Sequence, residues 1–150
     1  MKEIHPSDSN EQRQIEGIVI KLLEKRFDCQ LISNPIVLDK SKNITVNLDA
    51  YNLQKGIIIE IYAGIETLKS AQLKKVITDG FKLTLIEKML FQNQKCRKII
   101  CFIDQTILSN FNSNNWHSLA FKEFNIETIF EKISPKDLQS LKNAKERQYR

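Results

Sequence analysis

Between Glu11 and Phe27 the apolar positions Ile15, Ile18, Val19, Leu22 and Leu23 recur at helical spacing and predict a first amphipathic helix. Asn10 stands where an N-cap is expected, and Gly17 costs this helix roughly 1 kcal/mol relative to alanine. The stretch CQLISNPIVL, 29–38, reads as extended, with Pro35 marking an edge or irregular segment. The period then changes. In ITVNLDAY, 44–51, Ile44, Val46, Leu48 and Ala50 alternate with Thr45, Asn47, Asp49 and Tyr51, as in a strand with two unlike faces. IIIEIYA, 57–63, is apolar except for Glu60 and Tyr62, which share one face. The short NLQKG between them predicts an antiparallel hairpin. Its register decides where the acidic residues go. With Asn52 opposite Ile57 around a four-residue loop, Leu53 to Gly56, Asp49 lies opposite Glu60; an odd loop length sends the two carboxylates to opposite faces.

Residues 67–91, rich in Leu, Ile and Lys, predict a long helix, and KIICFID, 98–104, an apolar strand. An Asn- and Ser-rich connection, 105–115, leads to a short helix around 116–124, and IETIF, 126–130, predicts a last strand. Ser134, Pro135 and Asp137 then open a helix with a cap, a first-turn proline and an acidic residue three places on. The order αβββαβαβα predicts a single α/β domain, a central mixed sheet of about five strands flanked by helices. Residues 1–10 read as a flexible arm, 11–133 as the core and 134–150 as a basic C-terminal helix.

Composition agrees with one folded domain: 150 residues, 41% hydrophobic and 27% charged. Three cysteines, Cys29, Cys96 and Cys101, with no C-x-x-C spacing, indicate neither a disulfide framework nor a zinc site and favour a reducing cytoplasm. The polar N-terminus shows no signal peptide. No apolar run approaches the ~18–20 residues of a membrane span, so no membrane partner is expected. The net charge of +5 suits a nucleic-acid partner without requiring one. The last helix sets five basic residues against Asp137 and Glu146; Lys142, Lys145 and Arg147 are the candidates for following a DNA backbone, and a solvated helix face is the ordinary alternative. The same choice applies to KCRK, 95–98. His5 and His117 have no metal or catalytic partner at ligand spacing, and Trp116 reads as a packing residue. No Ser-His-Asp, HExxH, P-loop or GxGxxG arrangement occurs.

The chemistry is carried by Asp49 and Glu60. A carboxylate on a buried strand needs a partner or a task, and two opposed carboxylates destabilise a sheet. A divalent cation relieves that repulsion, and Mg2+ is commonly held by one or two carboxylates with water and phosphate oxygens. The plainer alternative leaves Asp49 facing solvent and pairs Glu60 with a lysine of the following helix.

An acidic residue in the first helix, Glu16 in QIEGIVIKLLEKRF, then Asp49 in VNLDAY, then Glu60 in IIIEIYA, followed by a long helix, resembles the PD-(D/E)XK nuclease superfamily over residues 11–130. More narrowly, IEIYAGIETLKSAQLKKVITDGFKL with the terminal LKNAKERQ is similar to small bacterial proteins assigned to that superfamily. The resemblance implies a restriction-endonuclease-like core and a metal-dependent phosphodiesterase. Asp49, Glu60 and the backbone carbonyl of Ile61 would hold Mg2+ or Mn2+, and Glu16 would reach the same or a second ion. The metal would activate water and neutralise phosphate charge.

The superfamily places lysine two residues after the glutamate, where it projects into the same site. This chain has Tyr62, uncharged near neutral pH. On the following helix, Gln72, Lys75, Asp79 and Lys82 fall within an arc of roughly 80°. If that arc faces the hairpin, Lys75, ahead of Lys82, supplies the missing charge, Gln72 orients water or phosphate and Tyr62 lines the site. The expected function is Mg2+-dependent cleavage of DNA. The alternatives are an inactive DNA-binding module of the same fold, an assembly protein whose apolar elements build a homodimer, or a chain completed by a protein partner.

Overall fold

The computed structural model describes residues 6–65, 67–92 and 94–148. Helix α1 spans Pro6–Phe27, followed by strands β1 (Ile36–Asp39), β2 (Ile44–Val46), β3 (Ala50–Asn52) and β4 (Ile57–Tyr62). Helix α2 (Ser70–Leu90) leads to β5 (Arg97–Phe102), and α3 (Gln105–Phe111) and α4 (Trp116–Glu123) lead to β6 (Ile126–Phe130). Helix α5 (Pro135–Gln148) closes the fold. The result is α/β, with a four-stranded mixed sheet, β3-β4-β5-β6, and a separate two-stranded antiparallel sheet, β1-β2. The β3–β4 pair is antiparallel; β4–β5 and β5–β6 are parallel.

Strands β4 and β5 are covered on both faces, which is why they read as nearly unbroken apolar runs. Ile57, Ile59 and Ile61 of β4 join Ile99 and Cys101 against Ile15, Val19 and Leu23 of α1 and Leu141 of α5. On the other face Ile58 and Tyr62 join Ile100 and Phe102 against α2, α3 and α4. Glu60 lies between Ile58 and Tyr62 and therefore shares the α2 face. Helix α2 approaches α4 closely at Gly80, where a β-carbon would stand 2.6 Å from the Phe121 ring. Gly56 closes the β3–β4 turn at φ +69°, with the Lys95 carbonyl 2.6 Å from where a β-carbon would sit.

Several expectations are corrected. The run 44–51 is not one strand: it breaks at 47–49, β2 pairs with β1, and only β3 enters the main sheet. The break sends Leu48 to the α2 face and Ala50 to the α1 face, although strict alternation put them together. The main sheet thus has four strands, not five. Residues 105–111 form α3, because the Asp104 side chain accepts from the Ile107 amide and Ile107 and Phe111, four apart, reach the core. The first helix begins at Pro6, so 6–10 is helical and Asn10 is not its cap; proline is well suited to a first helical position. Residues 1–5 of the expected arm, His5 among them, lie outside the described residues. In KCRK, Arg97 pairs with Glu127 and lies over the Phe27 ring, while Lys98, 2% exposed, is bound to Glu87 at 2.7 Å and to the Phe124 carbonyl. His117 is buried beside Phe111 and Trp116, in keeping with a structural role. Its burial holds its pKa below the usual imidazole value. Trp116, expected to pack, is exposed.

Candidate functional site

The hairpin adopts the register of the four-residue turn: Asn52 pairs with Ile57, Tyr51 with Ile58 and Ala50 with Ile59. One step on, Asp49 meets Glu60. The Asp49 amide donates to Glu60 Oε1 (3.3 Å), and the Ile61 amide donates to Asp49 Oδ2 (2.8 Å). These reciprocal bonds continue the ladder with side chains where the strand itself has bent at Asp49. They hold both carboxyl groups at one end of the pair.

Helix α2 completes the cluster. Lys82 Nζ lies 3.1 Å from Glu60 Oε1 and 4.0 Å from Asp79 Oδ1, and donates to the Asn47 carbonyl at 2.8 Å. The helical arc therefore does turn Asp79 and Lys82 to the hairpin. Lys82, and not Lys75, is the lysine in contact with Glu60; Lys75 is exposed and acts on Glu16 and Asp79 through its field. Gln72 is half-buried, with its Oε1 buried and without a hydrogen-bond partner. Tyr62 is buried in the core, its ring 5.7 Å from Phe102 and folded beneath Gly64, where a β-carbon would come within 2.4 Å of it.

Burial and negative charge dominate the electrostatics. Burial, then Asp49, pushes the Glu60 carboxyl up to about 8 against the pull of Lys82, and Asp79 adds to the rise. Burial and then Asp49 also raise Glu16, opposed by Gln12, Lys75 and Arg13. Burial raises Asp79, opposed first by Lys82 and then by Lys75, with Asp49 adding to the rise. Glu16, on α1, thus feels Asp49, which immediately precedes β3, and Lys75 of α2. Asp79 was part of the expected arc but had no assigned role, and the Asn47 carbonyl had no signal in the sequence, because only the break between β2 and β3 exposes it.

The donor set suits a hard cation. Asp49 Oδ2 and Glu60 Oε1 accept from backbone amides, which leaves Asp49 Oδ1 and Glu60 Oε2, with the Ile61 carbonyl, as oxygens of the type such an ion takes. Among the described residues, no group of three or more His, Cys, Asp or Glu is placed to hold a metal ion. The proposed DNA-contacting residues belong to α5, which packs on the α1 face. Lys142 is exposed there, Arg147 is bound to Glu11, and the Lys145 side chain lies outside the described residues. No helix among the described residues is long and apolar enough to cross a membrane. Compared with known protein families, with curated proteins and with solved structures, the chain matches none.

Proposed function

We propose that this chain is a metal-dependent phosphodiesterase that cleaves DNA, with a restriction-endonuclease-like core. The observation that carries the reading is the opposition of Asp49 and Glu60 across β3 and β4, with Lys82 in contact with the glutamate. Asp49, Glu60 and the Ile61 carbonyl would hold Mg2+, for which Mn2+ can substitute. The bound ion would lower the pKa of water and offset charge on the phosphate. The chain's own contribution is positioning. The Ile61 amide fixes Asp49, and the Asp49 amide fixes Glu60. Lys82 takes the role that Tyr62 cannot, presenting positive charge where charge develops on the phosphate. Lys75 and Gln72 stand on the same side of α2 as supports for substrate or water, and Glu16 adjusts the field from α1.

A second reading also has an observation behind it. Lys82 Nζ already lies 3.1 Å from Glu60 Oε1 and on the Asn47 carbonyl, so the cluster can be structural and the chain a DNA-binding module without catalysis. Incubation with single-stranded and duplex DNA in Mg2+, Mn2+ or EDTA separates the two. The nuclease reading expects cutting that EDTA abolishes and that Glu60→Gln lowers by about a hundredfold or more. Salt-sensitive binding without cutting selects the module. Cutting that Glu60→Gln leaves intact removes the assigned site.

A further inference from the structure

Helix α2 is apolar on two opposite sides. Val76, Gly80, Leu83 and Ile86 are buried on the inner side, Gly80 against Phe121 of α4 and Ile126 of β6. Ile77, Phe81, Leu85 and Met89, each four residues from the last, form a ridge on the outside, where Phe81 is 78% exposed and Leu85 and Met89 are also open to water. The outer side of a helix ordinarily carries its polar residues; here Phe81, Leu85 and Met89 share it with the exposed Lys74 and Lys88. Beside this ridge, α4 and the residue after it present Trp116, 67% exposed, Leu119, 59%, and Phe124, 58%. A recess of about 220 Å³ runs between the two helices, walled by Thr84 and Ala120, with Phe121 and Ile126 among its lining residues.

We propose that α2 and α4 form the interface of a homodimer. The area fits. Aromatic side chains carry about 150–250 Å² each, so Phe81, Trp116 and Phe124 alone present on the order of 400 Å². Leu85, Met89 and Leu119 bring the patch to on the order of 600 Å², at the top of what monomers usually expose. With its rim it approaches the ~800 Å² per partner of a standard stable interface. The shape fits a second copy because one patch holds both projecting rings and a recess, the self-complementarity that a two-fold axis requires. A four-residue ridge crossing its own symmetry mate is the commonest helix packing, at about −50° and ~8–10 Å between axes. Exposed Lys88, Lys122 and Glu123 flank the patch with both signs, so the rims of two copies need not repel. The proposal is independent of the nuclease reading.

Sedimentation equilibrium tests it on the full chain and on Phe81→Glu and Leu119→Glu, exposed positions on two different helices. The wild type is expected at twice the 17.5 kDa chain mass, and each variant, with its circular dichroism unchanged, to self-associate about a hundredfold more weakly. Trp116 is the only tryptophan, so the wild type carries its own probe. Its emission is expected at shorter wavelength in the dimer and to shift red on dilution. A wild type that stays monomeric at about 100 µM overturns the proposal. So does a dimer whose Trp116 emission remains that of an exposed indole, or one that survives both folded variants.

Discussion

At the scale of single residues, Glu60 concentrates the energetic tension of the molecule. It is 5% exposed and faces Asp49 and Asp79, with Lys82 as the balancing cation. Folding moves its carboxyl from an ordinary 4.5 to about 8, so between those values the folded state holds a proton that the unfolded state has released. Proton uptake on folding means that stability falls as pH rises. In EDTA, the Glu60 contribution is expected in full below pH 4.5 and to be lost by about pH 8, a change of a few kcal/mol. Denaturant titrations across that range check it, with Glu60→Gln expected to flatten the slope; an equal slope in the variant assigns the effect to another group. Tyr62, a site candidate because it stands two residues after Glu60, is buried with its ring 5.7 Å from Phe102 and beneath Gly64.

At the scale of elements, the β3–β4 hairpin and α2 position the cluster. The turn length sets the register, and the register puts Asp49 opposite Glu60. Helix α2 must lie close enough for Lys82 to reach the hairpin, and Gly80 sits where α2 meets Phe121 of α4. Gly80→Ala is expected to lower stability by about 1–2 kcal/mol: overpacking against a buried ring outweighs the gain in helix propensity. That corresponds to a fall of about 3–6 °C in Tm by calorimetry. An unchanged or higher Tm shows that Phe121 yields and that the close approach is not a constraint.

At the scale of the whole molecule, the site draws on both helical layers, since Glu16 on α1, Glu60 on β4 and Asp79 on α2 feel the same Asp49. The proposed ion, held by Asp49 and Glu60, would bind only the folded chain and so stabilise the whole domain. At ten times its dissociation constant, Mg2+ is expected to add about 1.4 kcal/mol, or about 3–5 °C in Tm, beyond an ionic-strength-matched control. Glu60→Gln is expected to abolish the shift. An equal shift in the variant means that the ion binds elsewhere.

Local chemistry alone determined much of this. The helical period of 11–27, the capped start at Ser134–Pro135, the continuous apolar runs of β4 and β5 and the even turn of the hairpin each depend on neighbours in the chain. They are legible because side-chain period and turn geometry are short-range properties. The pairing of Asp49 with Glu60 followed from the turn for the same reason. The remainder depended on groups distant in sequence. Where 44–51 breaks was decided by competition between β1 and β4 for one segment. Whether Lys75 or Lys82 reaches Glu60 was decided by how far along α2 the hairpin ends, a matter of packing that helical spacing leaves open. The outer ridge of α2 was visible only as surplus hydrophobicity until the sheet had claimed the other side of the helix.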